Sequence, residues 1–391
     1  MFETREASIG MRINKHRKIK KLVLLVFPLL LWDSVLLLPS FASVAIKPMF
    51  SIIWITDTQY LSYKIPDNFD TMCNWIATYS ETLNVKAVLH TGDIVERAWN
   101  KREWARADNS MSILLKANIP YCWDAGNHDQ LGTSWVGKDF PAFDTAIMRK
   151  KDYWVGDILE GKNTAIEFTA SNWNFLILNI ENHANDSVLD WANDLLRAHP
   201  NSHTIVATHS YISDICAYDD WARHFRSYVL NKHPNIFMTL NGHFMQGSRA
   251  NRTYINNRHE LFFNCQHTNG GEGDATIRIL TFSKEEDAIL VNTFNTVTNQ
   301  FLSDPENRFT LDIPFFKNPD APESLTLTRN KPIEVPEFSS ISSEVPEFSS
   351  ISSEVLEIPF ISFILSILVF SMVPLALLKS KLEKTKLLRQ K

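Results

Sequence analysis

Eight residues of the types that ligate cations or move protons stand in five short motifs, each directly after an apolar run. They are Asp57 and Gln59 in Asp57-Thr58-Gln59, Asp93 in Gly92-Asp93, Asn127, His128 and Asp129 in Gly126-Asn127-His128-Asp129, His209 alone, and His243 in Gly242-His243. The preceding runs, at 50–55, 85–90, 119–123, 204–207 and 236–240, read as strands. Strands that end at one rim of a sheet would bring carboxylates, an amide and imidazoles together there. A metal site is built from distant sequence in this way, each strand a rigid arm and each following loop free to carry a ligand. Singly, every motif has a blander reading. An Asp after a strand caps the next helix, a His in Ala207-Thr208-His209-Ser210 is satisfied by backbone, and Gly-Asn makes a tight turn. Their joint occurrence favours a metal centre.

The set and its order resemble the calcineurin-like metallophosphoesterases over residues 46–315. That family's pattern is an aspartate with a histidine two residues on, then GD, then GNH followed by an acid, a lone histidine, and GH followed by a further histidine. Here Asp57 and Asp93 are 36 residues apart, Asn127 follows 34 later, His209 82 later and His243 34 later. The resemblance implies hydrolysis of a phosphomonoester or phosphodiester by direct attack of a metal-bound hydroxide. Two divalent cations about 3.5 to 4 Å apart clamp the phosphoryl oxygens and lower the pKa of a bridging water. It also implies roles. Asp93 bridges, Asp57 and Gln59 serve the first metal, and Asn127, His209 and His243 serve the second. His128 stabilises the phosphoryl group or protonates the leaving oxygen, and Asp129 orients the loop beside it; these two are the candidate catalytic residues.

Two departures fall on the first metal. Gln59 stands where the family has histidine, and Met245, followed by Gln246, stands where it has the last one. An amide oxygen can still ligate, whereas a thioether is a poor partner for a hard cation. The expectation is an asymmetric pair drawn from Mn, Fe, Zn, Mg or Ca, with a weak, oxygen-dominated first site that Gln246 completes if the loop shifts by one residue. The same losses motivate an alternative, a cell-surface binding module on a weakened phosphoesterase frame.

Helix-like segments at 68–83, 101–117, 187–198 and 218–231 alternate with the strands, and further strands are expected at 261–265, 276–282 and 288–294. In the second helix Trp104, Ala107, Met111, Leu114 and Leu115 recur at helical spacing and read as a core face. The fold class is therefore α/β, and the resemblance implies a four-layer sandwich of two mixed β-sheets flanked by helices. Trp54, Tyr60, Trp99 and Trp135 lie near the motifs as pocket or packing residues, and His90, His183 and His224 read as surface or core. His267, in Gln266-His267-Thr268-Asn269-Gly270-Gly271, is the remaining histidine best placed to line a cleft, and the glycine-dense loop around Gly271 and Gly273 reads as a hairpin or substrate-side loop.

Both ends have their own composition. Residues 1–45 carry a basic stretch, an apolar run and then small residues, the layout of a secretory signal peptide. Residues 316–357 form a Pro/Ser/Glu stalk in which Glu-Val-Pro-Glu-Phe-Ser-Ser-Ile-Ser-Ser repeats almost word for word, too polar to bury a core. Residues 358–378 are uncharged and long enough for a transmembrane helix across about 30 Å of hydrocarbon. Residues 379–391 are a basic tail expected to stay in the cytoplasm. The Pro-Glu-Phe element, apolar helix and basic tail resemble PEF-type C-terminal sorting signals of archaeal surface proteins; a single-span anchor is the simpler reading. Either way the chain is expected to be exported and tethered at the cell surface. Cys73, Cys122, Cys216 and Cys265 lack Cys-x-x-Cys spacing, which argues against a zinc knuckle and leaves disulfides or buried thiols open. A net charge of −5 gives no electrostatic case for nucleic-acid binding.

Overall fold

The structure, a computed structural model, describes residues 49–244, 250–264, 266, 275–284 and 286–313. The expected signal peptide, stalk, terminal helix and basic tail lie outside the described residues, as do Met245, Gln246, Cys265, His267 and the glycine-dense loop.

Three parallel strands, β1 (Met49–Ile55), β2 (Val85–His90) and β3 (Tyr121–Trp123), make one half of the first sheet. Helices α1 (Gln59–Lys64) and α2 (Pro66–Tyr79) follow β1, and α3 (Lys101–Lys116) follows β2. Strand β3 is shorter than the apolar run suggested. Pro120 has no N–H to give to a ladder, although its carbonyl still accepts from Val88 N–H at 2.8 Å.

The next three strands are not among the runs expected from sequence. After the short helix α4 (Thr145–Met148) come β4 (Trp154–Ile158), β5 (Asn163–Ala170) and β6 (Trp173–Ile180), then β7 (His203–Thr208) and β8 (Ile236–Asn241). Helix α5 (Asp186–Ala198) joins β6 to β7, and α6 (Asp220–Tyr228) lies between β7 and β8. Strands β9 (Ala250–Ile255) and β10 (Arg258–Phe263) complete the second sheet in the order β4-β5-β6-β7-β8-β10-β9. The β5–β6 hairpin turns at Ser171-Asn172, with φ of 51° and 67°, and the β9–β10 hairpin at Asn256-Asn257, with φ of 52° and 59°. Both have the left-handed pair of residues that matches strand twist in a two-residue hairpin. The chain then returns to the first sheet with β11 (Thr276–Ser283), β12 (Ala288–Asn295), β13 (Gln300–Leu302) and β14 (Arg308–Asp312). There β11 pairs antiparallel with β1, and β12 pairs with β11, β13 and β14.

Alternation of side chains decides the layers. Phe50, Ile52 and Trp54 pack between the sheets with Ile177, Ile205, Leu240 and Phe282, while Ile53 and Ile55 face Phe69, Met72, Trp104 and Met111 of α2 and α3. On the far side Leu176, Leu178 and Ile180 pack on Val188, Leu189 and Leu196 of α5 and Phe225 of α6. The result is two mixed sheets face to face with helices outside. Strands β1, β2 and β3 of one sheet and β7 and β8 of the other each end in one of the five motifs. Among the described residues no helix is long and apolar enough to cross a membrane. Cys73, Cys122 and Cys216 are free thiols.

Candidate metal centre

At the ends of β1 and β2 the chain turns sharply: Asp57 has φ 51° and Asp93 φ 54°, and His243 after β8 has φ 76°. L-residues in this left-handed region cost about 1 kcal/mol or more each, and such strain persists only where surrounding contacts impose it. Here close approach of the loops does so. A Cβ on Gly126 would stand 2.1 Å from Asp93 Oδ1, and one on Gly242 would stand 2.1 Å from Asp57 Oδ2. The two glycines let the carboxylates lie against backbone of the neighbouring loops.

Four ligand-type groups converge on one point. His209 Nε2 lies 2.9 Å from Asn127 Oδ1, 3.1 Å from His243 Nδ1 and 3.2 Å from Asp93 Oδ2. The ligand atoms of Asp93, His209 and His243 all lie within 4.8 Å of one another. His209 Nδ1–H donates to Thr91 O at 2.8 Å, which fixes the ring and turns its other nitrogen inward. An imidazole nitrogen facing three electron-rich atoms must carry a proton, or the centre must carry a cation. Burial acts to lower the pKa of His209, yet the Asp93 carboxylate outweighs it and pushes the ring up to about 10.

Asp57 and Gln59 flank this point. Asp57 accepts from Thr56 Oγ1–H at 2.6 Å and from His243 N–H at 3.1 Å. Burial pushes its carboxyl up to about 7 against the opposing pull of His209. Gln59 Nε2–H donates to Asp93 Oδ2 at 3.2 Å, and its Oε1 is buried without a partner. Asp93 itself is held below the usual carboxylate range, because His209 and His128 outweigh its burial. Among the described residues no lysine or arginine pairs with Asp57, Asp93 or Asp129, so these buried acids are short of positive charge. An orphaned amide oxygen, a shortage of positive charge and a mixed N/O donor set all fit divalent cations.

The two candidate catalytic residues differ in kind. His128 N–H donates to Asp93 Oδ1 at 2.9 Å, and its ring Nδ1 lies 2.9 Å from Glu96 O and 3.4 Å from Glu96 Oε2. Burial alone would lower its pKa, but Asp93 and Glu96 raise it. Asp129 is fully buried and accepts from the backbone N–H groups of Ile94, Val95 and Gly126 at 2.9 Å each. It clamps the Gly92-Asp93 loop to the Gly126 loop, the geometry of a residue that orients the loop beside His128.

Sequence reasoning missed the groups that brace the ligands. Trp54 Nε1–H donates to Thr91 Oγ1 (3.0 Å), Thr91 Oγ1–H to Thr56 Oγ1 (2.6 Å), and Thr56 Oγ1–H to Asp57. The available signal was a threonine at a strand end directly before each aspartate motif. Of the other histidines, His90 is fully buried with Nε2 2.8 Å from Thr58 Oγ1, while His183 and His224 pair with Asp219 and Asp186. Trp54 and Trp135 are buried packing residues, and Trp99 is exposed.

The model of the calcineurin-like phosphoesterase family matches residues 50–247, a span containing all five motifs. The chain belongs to that family. It is 29% identical over 259 residues to the uncharacterized protein YvnB of Bacillus subtilis (strain 168), a match covering 64% of this chain and 20% of that protein. The chain thus spans about a fifth of the length of that curated relative. Similar solved structures include GAP50, the anchor in the inner membrane complex of Plasmodium (TM-score 0.42, 10% identity, 68% of this chain and 89% of that one). Others are the purple acid phosphatase PPD1 from yellow lupin, Lupinus luteus (TM-score 0.42, 13% identity, 68% and 54%), and the 5'-nucleotidase from Candida albicans SC5314 (TM-score 0.37, 11% identity, 68% and 51%). Calcineurin-like phosphoesterases bind a dinuclear metal centre, and Asp93, His209 and His243 are this chain's candidate ligand group.

Proposed function

We propose that this protein is a metal-dependent phosphoesterase that hydrolyses a phosphomonoester or phosphodiester outside the cytoplasm. The observation that carries the reading is the meeting of Asp93, Asn127 and His243 at His209 Nε2. Asp93 would be shared between two cations. Asp57 and Gln59 would complete the first site, and Asn127, His209 and His243 the second. Bound divalent cations would neutralise the phosphoryl charge and make hydroxide available near neutral pH. His128, anchored through Nδ1 on Glu96, keeps Nε2 for the phosphoryl group or the leaving oxygen. Gln59, with its amide N–H on Asp93, makes the first site the weaker one. Export and membrane tethering rest on the composition of residues 1–45 and 358–391.

The test is metal content together with hydrolysis of a panel of mono- and diesters, in wild type and Asp93→Ala. The variant should lose at least one metal and at least about a thousandfold in activity, the scale expected when a charge-stabilising group leaves a reacting centre. Full activity in Asp93→Ala overturns the assignment. The unusual Gln59 sustains a second reading, a cell-surface binding module, and a wild type that binds no metal and turns over none of the panel would favour it.

A further inference from the structure

Among the described residues seven large apolar side chains are exposed, and three of them stand on loops that carry the centre. Trp99 (62% exposed) comes six residues after Asp93, Leu131 (45%) three after His128, and Ile215 (77%) six after His209. Exposed apolar residues scattered singly need no explanation, but three on different loops around one centre do.

Each is presented by a closed turn. Asn100 N–H donates to Arg97 O at 2.8 Å across Trp99, and Ser134 N–H to Leu131 O at 3.0 Å. Ile215 tips a turn in which Ser213 N–H donates to Ala217 O at 3.0 Å, while Asn251 Nδ2–H holds Asp214 O at 2.7 Å. The three exposed side chains therefore stand on turns closed by hydrogen-bonded backbone. The Trp99 ring also has a fixed neighbour: the Arg97 guanidinium lies 5.5 Å from its centroid and 4.4 Å from that of Tyr63. Arg97 is paired with the buried Glu103, so this turn offers apolar surface in place of an uncommitted charge. The same loop holds His128 through Glu96 O.

We propose that Trp99, Leu131 and Ile215 form an apolar rim that binds the alcohol portion of the phosphate ester, so that the preferred substrates have an aromatic or long-chain alkyl alcohol. The inference rests on the phosphoesterase reading, since it is the centre that holds the phosphoryl group and leaves only the alcohol to extend over these turns.

Non-hydrolysable phosphonates test it by calorimetry on the Mn-loaded full chain. Phenylphosphonate and hexylphosphonate should bind about tenfold tighter than methylphosphonate to wild type. In Trp99→Ala and Ile215→Ser that preference should fall below about threefold, and Trp99→Phe should restore it for the phenyl ligand. Equal affinity of the three ligands in wild type, or an unchanged preference in Trp99→Ala, overturns the rim and leaves the metal centre standing. No binding of any phosphonate overturns both. Vesicles of phosphatidylcholine provide the second arm. Vesicle binding that Trp99→Ala abolishes while the phosphonate preference stays intact assigns these residues to a membrane surface and also overturns the proposal.

Discussion

Asp57 shows how a candidate ligand is held in place by its neighbours. Its carboxylate ends a chain of hydroxyls that starts at the fully buried Trp54, and it also takes the His243 N–H. Supports of this kind fix the ligand's direction and raise metal affinity while contributing little to the fold. Thr56→Val, which keeps the shape and removes the last donor, should weaken the first metal by about tenfold. Metal titration would read that loss, and the melting temperature should move by only a few degrees, about what one hydrogen bond supplies. His203 gives a titration that can be checked far from the centre. It lies against Trp173 and Phe175, and burial lowers its pKa from the ordinary 6.5 to about 4. The native state thus binds fewer protons than the unfolded chain between these values. The stability tied to the neutral ring is full above pH 6.5 and is lost as pH falls toward 4. Melting curves of wild type and His203→Phe should diverge in that window, with the shallower acid decline in the variant. Parallel curves would refute the assignment.

At the level of elements, the loops matter through how closely they pass. The Gly126 backbone lies against Asp93 so tightly that a Cβ would meet both Asp93 Oδ1 and Asp93 N, at 2.1 and 2.2 Å. Asp129 then ties the same two loops with three N–H bonds. Gly126→Ala should separate the loops, cost about 3 kcal/mol in urea unfolding and lower metal stoichiometry. A variant of wild-type stability with full metal would show that the loops are not locked together. The strands and helices themselves were mostly legible. Apolar runs marked β1, β2, β7 and β8, and spacing marked α3 to within a residue, because these signals are local. Strands β5 and β6 were not read, although Ser171-Asn172 is a hairpin signal that positive φ at both residues makes sense of. Strand β3 and helix α6 were read too long, the first past Pro120 and the second across Asp219, which caps the helix by accepting from Ala222 N–H at 2.7 Å.

For the whole molecule, the two sheets are joined by a shared aromatic layer. Phe282 of β11 stacks on Phe50 at 4.6 Å and meets Phe175 and Phe237 of the second sheet edge-on at 5.7 and 6.4 Å. Phe282→Ala should cost about 3 to 5 kcal/mol by chemical denaturation, because a rigid interior does not collapse into the gap. Since β7 and β8 carry His209 and His243 while β1 and β2 carry Asp57 and Asp93, this layer also sets the spacing of the two candidate ligand groups. The sequence by itself determined which residues are the candidates for chemistry and that each follows a strand, because strand periodicity and turn chemistry are written within a few neighbouring positions. Only the tertiary structure decided that Asp57 lies under the backbone of a residue 186 positions away, that Asp129 turns inward to backbone, and that Trp99, unlike Trp54 and Trp135, faces solvent. Those outcomes depend on how two sheets pack against each other, and packing is a property of the assembled layers that no stretch of neighbouring residues contains.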